Sequence, residues 1–169
     1  GDQLLSGTGS VTDITSITVN TATTTATVLI EPDNLTVQGV STNAPGFLNL
    51  VKGTARLSDS SPLESVIFTS ASPTIATTTA LWLDNPNLTV KGQNGTTTVA
   101  GTLRVSNGTF NVGVDDDDCI VLLPNSTFIS EGGAVNVTAA VGVGSPFQAV
   151  KFTQTGGTIT VQKVGNSST

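Results

Sequence analysis

Thr102-Leu103-Arg104-Val105-Ser106-Asn107-Gly108-Thr109-Phe110-Asn111-Val112 decides the fold, because the chain repeats its outline twice. It returns as Thr127-Phe128-Ile129-Ser130-Glu131-Gly132-Gly133-Ala134-Val135-Asn136-Val137. It returns again as Lys151-Phe152-Thr153-Gln154-Thr155-Gly156-Gly157-Thr158-Ile159-Thr160-Val161. The offset is 25 from Gly108 to Gly133 and 24 from Gly133 to Gly157. A period of this size marks an array of supersecondary units, each burying its apolar face only against its neighbours.

The first half carries a longer echo. Ala22-Thr23-Thr24-Thr25-Ala26 returns as Ala76-Thr77-Thr78-Thr79-Ala80, and Asn34-Leu35-Thr36-Val37-Gln38-Gly39 as Asn87-Leu88-Thr89-Val90-Lys91-Gly92. The offsets, 54 and 53, are about twice the shorter period. Within each unit apolar and polar residues alternate, as in Val28 and Ile30, Leu103 and Val105, Phe110 and Val112. A period of two rich in Thr, Val and Ile is strand periodicity, since β-branched side chains pack well on a pleated surface. Pro32-Asp33-Asn34, Asn107-Gly108, Pro124-Asn125, Gly132-Gly133 and Gly156-Gly157 punctuate the runs as turns. No helical stripe survives ten residues. The chain therefore reads as all β.

Two all-β architectures fit so many strands, and the period separates them. A β-sandwich of the jelly-roll kind pairs unlike strands from distant places and has no use for a motif that recurs at so regular an offset. In a parallel β-helix, a solenoid, each unit is one winding and like residues stack on like, about 4.8 Å apart. The length of 169 residues predicts about seven windings, a rod on the order of 34 Å long. Inward Val, Ile, Leu and Phe columns would stabilise it by roughly 1.5–3 kcal/mol per fully buried side chain. Glycine pairs belong at the corners, where a positive φ or a close approach is required. Asn111 over Asn136 would form a hydrogen-bonded ladder between windings, unless both are there simply for their turn preference.

Composition narrows the function classes. There is no His and no Tyr, only four Lys and two Arg, and 11% charged residues, against about 25% in ordinary domains. A net charge of −6 with six basic residues excludes the clustered cations that nucleic acid requires. No apolar run nears the ~20 residues that span a bilayer, so membrane insertion is not expected. A Ser/His/Asp or Cys/His arrangement is impossible without His. The single cysteine, Cys119, reads as a small apolar residue at a strand start rather than a reactive thiol. With 30 Thr and 16 Ser, the composition suits an extracellular location.

Segments such as Gly101-Thr102-Leu103-Arg104-Val105-Ser106-Asn107-Gly108-Thr109-Phe110-Asn111-Val112-Gly113 resemble the right-handed parallel β-helix regions of very large secreted bacterial surface proteins. So does the run from Phe152 to Val161. Adhesins exported by the type 9 secretion system are the nearest kind. The resemblance covers most of residues 100–165 and, more loosely, 15–95. It implies a non-catalytic structural stalk or adhesin at the cell surface, with neighbouring repeats or subunits, and surface glycans, as partners. It brings no catalytic motif with it. Two other readings stay open: a glycosylated subunit of an extracellular filament assembled by strand exchange, with Ser10 to Val28 as the exchanged segment, and a calcium-dependent polysaccharide-active β-helix with Arg104 or Lys151 as base.

The candidate site residues are few. Asp115, Asp116, Asp117 and Asp118 concentrate negative charge, and oxygen-seeking Ca²⁺ would relieve their repulsion. Their spacing is not that of an EF-hand, and a solvated corner loop is the plainer reading. No other cofactor is expected. Trp82 lies between Leu81 and Leu83, which align with Val28 and Ile30 as inward positions. Alternation then turns the indole outward, as a platform for a sugar face or a partner strand, unless a neighbouring segment covers it. Glycosylation sequons begin at Asn34, Asn87, Asn94, Asn107, Asn125 and Asn136, with a further one at Asn166.

The domain expectation is one solenoid segment over residues 1–169. Residues 1–20 are expected as an N-terminal extension or cap. Residues 40–65, interrupted by Pro45, Gly46 and Pro62, are expected as a loop or distorted coil. The absence of Met and of a capping sequence at Gly165 to Thr169 suggests a piece of something longer.

Overall fold

The structure is a computed structural model. It describes residues 1–14, 17–37, 48–58, 66–67, 74–91, 96–112, 118–138, 141–143 and 150–162. In chain order the strands begin with β1 (Gln3–Ile14), β2 (Ile17–Asn20), β3 (Thr27–Val37), β4 (Leu48–Leu57) and β5 (Val66–Ile67). Next come β6 (Thr74–Ile75), β7 (Thr79–Lys91), β8 (Thr97–Val99), β9 (Thr102–Val112) and β10 (Ile120–Leu122). The series closes with β11 (Thr127–Ser130), β12 (Ala134–Val137), β13 (Val141–Val143), β14 (Lys151–Gln154) and β15 (Thr158–Val161).

Every strand pairing among the described residues is parallel. Parallel neighbours need a crossover of a dozen residues or more, and the repeat is long enough to supply it. The sandwich alternative is thereby corrected: it needs antiparallel neighbours from unlike strands, and the described strands stack like on like.

One face runs β1-β3-β4-β7-β9-β11-β14, seven rungs in line. Its central inward column is Val28, Ala55, Leu81, Leu103, Phe128 and Phe152. The steps between these residues are 27, 26, 22, 25 and 24, so the winding breathes around its mean while the register holds. The long strands continue past a corner onto a second face, where Thr109 to Val112 carry β12 and then β15. A third face holds β6, β8, β10 and β13 as a separate four-stranded sheet. Seven rungs on the first face and four on the third make a β-solenoid of about four complete turns, against the seven windings expected from length.

The core is the column set the alternation predicted. Leu81, Leu83, Leu103, Val105, Phe110 and Val112 are all fully buried. Val28 reaches Leu81, and Ile30 reaches Leu83, through Ala55 and Leu57 of the intervening rung. Within the interrupted stretch 40–65, residues 48–57 form strand β4. Gly53, at φ 96°, bends it from the strand that pairs β2 into the strand that pairs β3. Residues 40–47 and 59–65 lie outside the described residues. In the N-terminal stretch, β1 pairs with β3 and β2 with β4.

Gly108, Gly133 and Gly157 stack at the corner between the first two faces, at φ 81°, 67° and 72°. Just beyond it, the Asn111 and Asn136 side chains meet, Asn136 Nδ2 donating to Asn111 Oδ1 at 2.9 Å.

Candidate binding face

Register fixes what the first face shows to solvent. The outward column reads Leu4, Leu29, Arg56, Trp82, Arg104, Ile129 and Thr153. Trp82 therefore points outward, and its indole is half-buried between two guanidinium groups, with Arg56 Cζ 4.1 Å and Arg104 Cζ 3.9 Å from the ring centroid. Each cation over an aromatic ring contributes roughly 0.5–1 kcal/mol at such a site. The two arginines come from the rungs on either side of Trp82, so both faces of the indole are covered.

Each arginine is also tethered to a carboxylate. Arg56 Nε and Nη2 donate to Asp84 Oδ2 at 2.9 and 2.6 Å. Arg104 Nε and Nη2 donate to Glu131 Oε2 and Oε1, both at 2.9 Å. Ser106 Oγ donates to Glu131 Oε2 at 2.6 Å and accepts from Trp82 Nε1 at 2.8 Å. Asn107 Nδ2 donates to Asp84 Oδ1 at 3.0 Å. The network spans β4, β7, β9 and the turn after β11, and so clasps four successive rungs from outside. Arg104, and after it Ser106, hold the Glu131 carboxyl below the usual carboxylate range by hydrogen bonding to its charged form.

Beside this clasp lies a groove of about 450 Å³. Seven threonines line it, among them Thr27, Thr54, Thr78 and Thr102, together with Ala80, Trp82, Arg104 and Ile129. Three of the threonines, Thr27, Thr54 and Thr102, arise from the neighbouring outward column, Thr27, Thr54, Ala80, Thr102, Thr127 and Lys151. The corner loop Thr77-Thr78 forms a wall, its Thr78 Oγ1 donating to the Val51 carbonyl at 3.2 Å. A surface of hydroxyls with one indole and one guanidinium offers both hydrogen-bond donors and acceptors. Among the described residues that line it there is no carboxylate to act as a general base.

The other sequence candidates are scattered. Asp115, Asp116 and Asp117 lie outside the described residues. Asp118 is 3% exposed just before β10, and its carbonyl accepts from Thr138 Oγ1 at 3.3 Å. Cys119 is half-buried beside Thr96 Oγ1, 3.4 Å away. Asn87, Asn107 and Asn125 are exposed, and Asn125 holds a left-handed turn at φ 66° between β10 and β11. Asn136 is half-buried in the ladder with Asn111, and Asn34 lies within β3. Asn94 and Asn166 lie outside the described residues.

The clasp and the groove are what sequence reasoning did not find. Trp82 was visible, but its partner Arg56 sits in the middle winding hidden inside the longer offset. Halving that offset would have set Arg56 beside Trp82. Comparison of the chain with protein-family models, with curated proteins and with solved structures finds no match in any of the three.

Proposed function

We propose that this chain is a non-catalytic structural and adhesive segment of an extracellular, cell-surface protein. The coil stack serves as the stalk and the threonine groove beside Trp82 as the binding surface, with glycans as its ligand class. The observation that carries this reading is the groove itself: seven threonines, of which only Thr79 is buried, line it beside Ala80, Ile129, the indole and Arg104. Sugar hydroxyls both donate and accept, as threonine hydroxyls do, and their C–H faces suit the apolar side chains between. The indole contributes its edge, because its faces are taken by Arg56 and Arg104. Both arginines are held by carboxylates, which supports recognition rather than proton abstraction.

The experiment is a glycan array spanning neutral, sulfated and sialylated oligosaccharides, probed with the intact chain and then quantified by calorimetry on any glycan retained. Thr54→Val preserves shape and β-branching while removing one hydroxyl from the groove. It is expected to weaken a retained glycan about fivefold or more, in keeping with the loss of one hydrogen bond. Trp82→Ala should weaken it further. If the intact chain retains no glycan, or Thr54→Val binds as well as the parent, the groove is not the binding surface.

A further inference from the structure

The groove beside Trp82 has a direction. Its lining begins at Thr27 of β3, passes Thr54, Ala80 and Thr102, and ends at Ile129 of β11. These residues stand on five neighbouring rungs of the first face, so the groove runs along the stack axis for about 19 Å at roughly 4.8 Å per step. Along the strands it is narrow, because its floor holds only two outward columns, that of Thr54 and that of Trp82. Those columns are two residues, or about 7 Å, apart. A slot so long and so narrow takes a chain of rings in single file.

Charge and spacing then select among glycans. Arg104 is the only charged side chain among the described residues that line the groove, and Glu131 already holds it by two hydrogen bonds of 2.9 Å. A sulfated or carboxylated sugar would have to displace that carboxylate, whereas a neutral one leaves the pair intact. The threonine column advances one rung at a time with a single break, Ala80 standing between Thr54 and Thr102. Those two threonines are two rungs, about 9.6 Å, apart. In a β-1,4-linked chain of pyranose rings, each ring advances by close to one rung and is turned over relative to the last, so alternate rings present the same edge. Thr54 and Thr102 match two such edges. The smaller side chain at Ala80 leaves a notch for the bulkier edge of the ring between them, flanked by Trp82 two residues along the same strand.

We propose that the groove binds a neutral, extended β-1,4-linked oligosaccharide of about four rings, laid along the solenoid axis with an inner ring at Ala80. This rests on the glycan reading of the groove and adds linkage, charge and direction to it. Each added ring meets the side chains of one more rung, until the lining ends at Thr27 on one side and Ile129 on the other. An α-1,4-linked chain coils away from the rungs after a ring or two and loses those contacts.

The test is calorimetry on the 169-residue chain with β-1,4-linked oligomers of glucose and of N-acetylglucosamine from one ring to about six. α-1,4-linked glucose oligomers of the same lengths and a sulfated oligosaccharide serve as the contrasting arms, at low and high salt. Affinity for at least one β-1,4-linked series should rise about threefold or more per ring up to about four rings and then level, with little dependence on salt. The α-linked oligomer of matching length should bind at least about tenfold more weakly. Ala80→Thr fills the notch with the residue that Thr54 and Thr102 already place on either side. It should melt like the parent and weaken the best oligomer at least about fivefold. Affinity that stops rising after one ring, a preference for the sulfated sugar, or a folded Ala80→Thr that binds as well as the parent overturns the proposal. So does an array that retains some other glycan while both β-1,4-linked series fail, and the glycan reading then survives. A chain that retains no glycan at all retires both.

Discussion

Gly133 shows how tightly single positions are specified. A Cβ there would lie 2.3 Å from the Gly108 carbonyl oxygen, and φ is already 67°. The left-handed backbone alone costs a non-glycine residue roughly 1–2 kcal/mol, and the clashing atom is backbone that cannot swing aside. Gly133→Ala should therefore destabilise the chain by at least about 1–2 kcal/mol in urea unfolding, whereas Gly1→Ala, with nothing within 4 Å, should be silent. Glu131 makes a different prediction. Its carboxyl is held below the ordinary range, so its contribution is present above the unfolded-state value and is lost as pH falls through the folded one. Stability measured from about pH 6 down to about pH 2 should show an acid limb that Glu131→Gln flattens. The corner glycines could be read from the sequence because only a backbone need places Gly at a fixed spacing. The partners of Glu131 could not, since Arg104 and Ser106 both lie a full winding before it. Only the register makes those residues neighbours.

Strands were the readily visible elements, because a period of two survives wherever one face is buried. β11 and β12 bury alternate residues throughout, and β9 does so on either side of Ser106 and Asn107 at its corner. β4 was hidden because Leu48 and Leu50 pack inward before Gly53 and Ala55 and Leu57 after it, so the alternation changes phase within the strand. A bend in mid-strand breaks the periodicity that would have announced it. Burial also grades what each rung can lose. Phe128, 3% exposed, lies inside the stack, while Phe152, its partner in the same column, is half uncovered. Phe128→Ala should cost roughly 3–5 kcal/mol in chemical denaturation, and Phe152→Ala distinctly less. Equal effects would show that the end rung is as enclosed as the interior.

The whole molecule is a one-dimensional stack, and its stability should be close to a sum over windings and their interfaces. Val105 pairs with Ser130, so the stretch 106–130 is one winding in register. Deleting that stretch joins Val105 to Glu131, as Val105 was joined to Ser106, and should leave a shorter solenoid that still melts cooperatively. Deleting 106–129 instead shifts the following strands by one, turning inward side chains outward. Its circular dichroism melt should be broader and lower. The parallel architecture was legible because the repeat is long enough for a crossover and too regular for a sandwich. The clasp and the groove were not, because what lies beside what depends on windings of unequal length, the step from Leu81 to Leu103 being shorter than that from Val28 to Ala55.

The rungs lie in series between β1 and β14, which has a mechanical consequence. A pull along the axis strains each inter-strand interface in turn rather than all together, so the rod yields by peeling one winding at a time. Each peeled winding releases about 80 Å of slack at roughly 3.4 Å per residue. Peeling should stall where Arg56, Trp82, Arg104 and Glu131 pin four windings from outside. A tether built this way gives ground in small increments, like a ratcheted shock absorber, and its indole clasp sets the force at which the middle lets go.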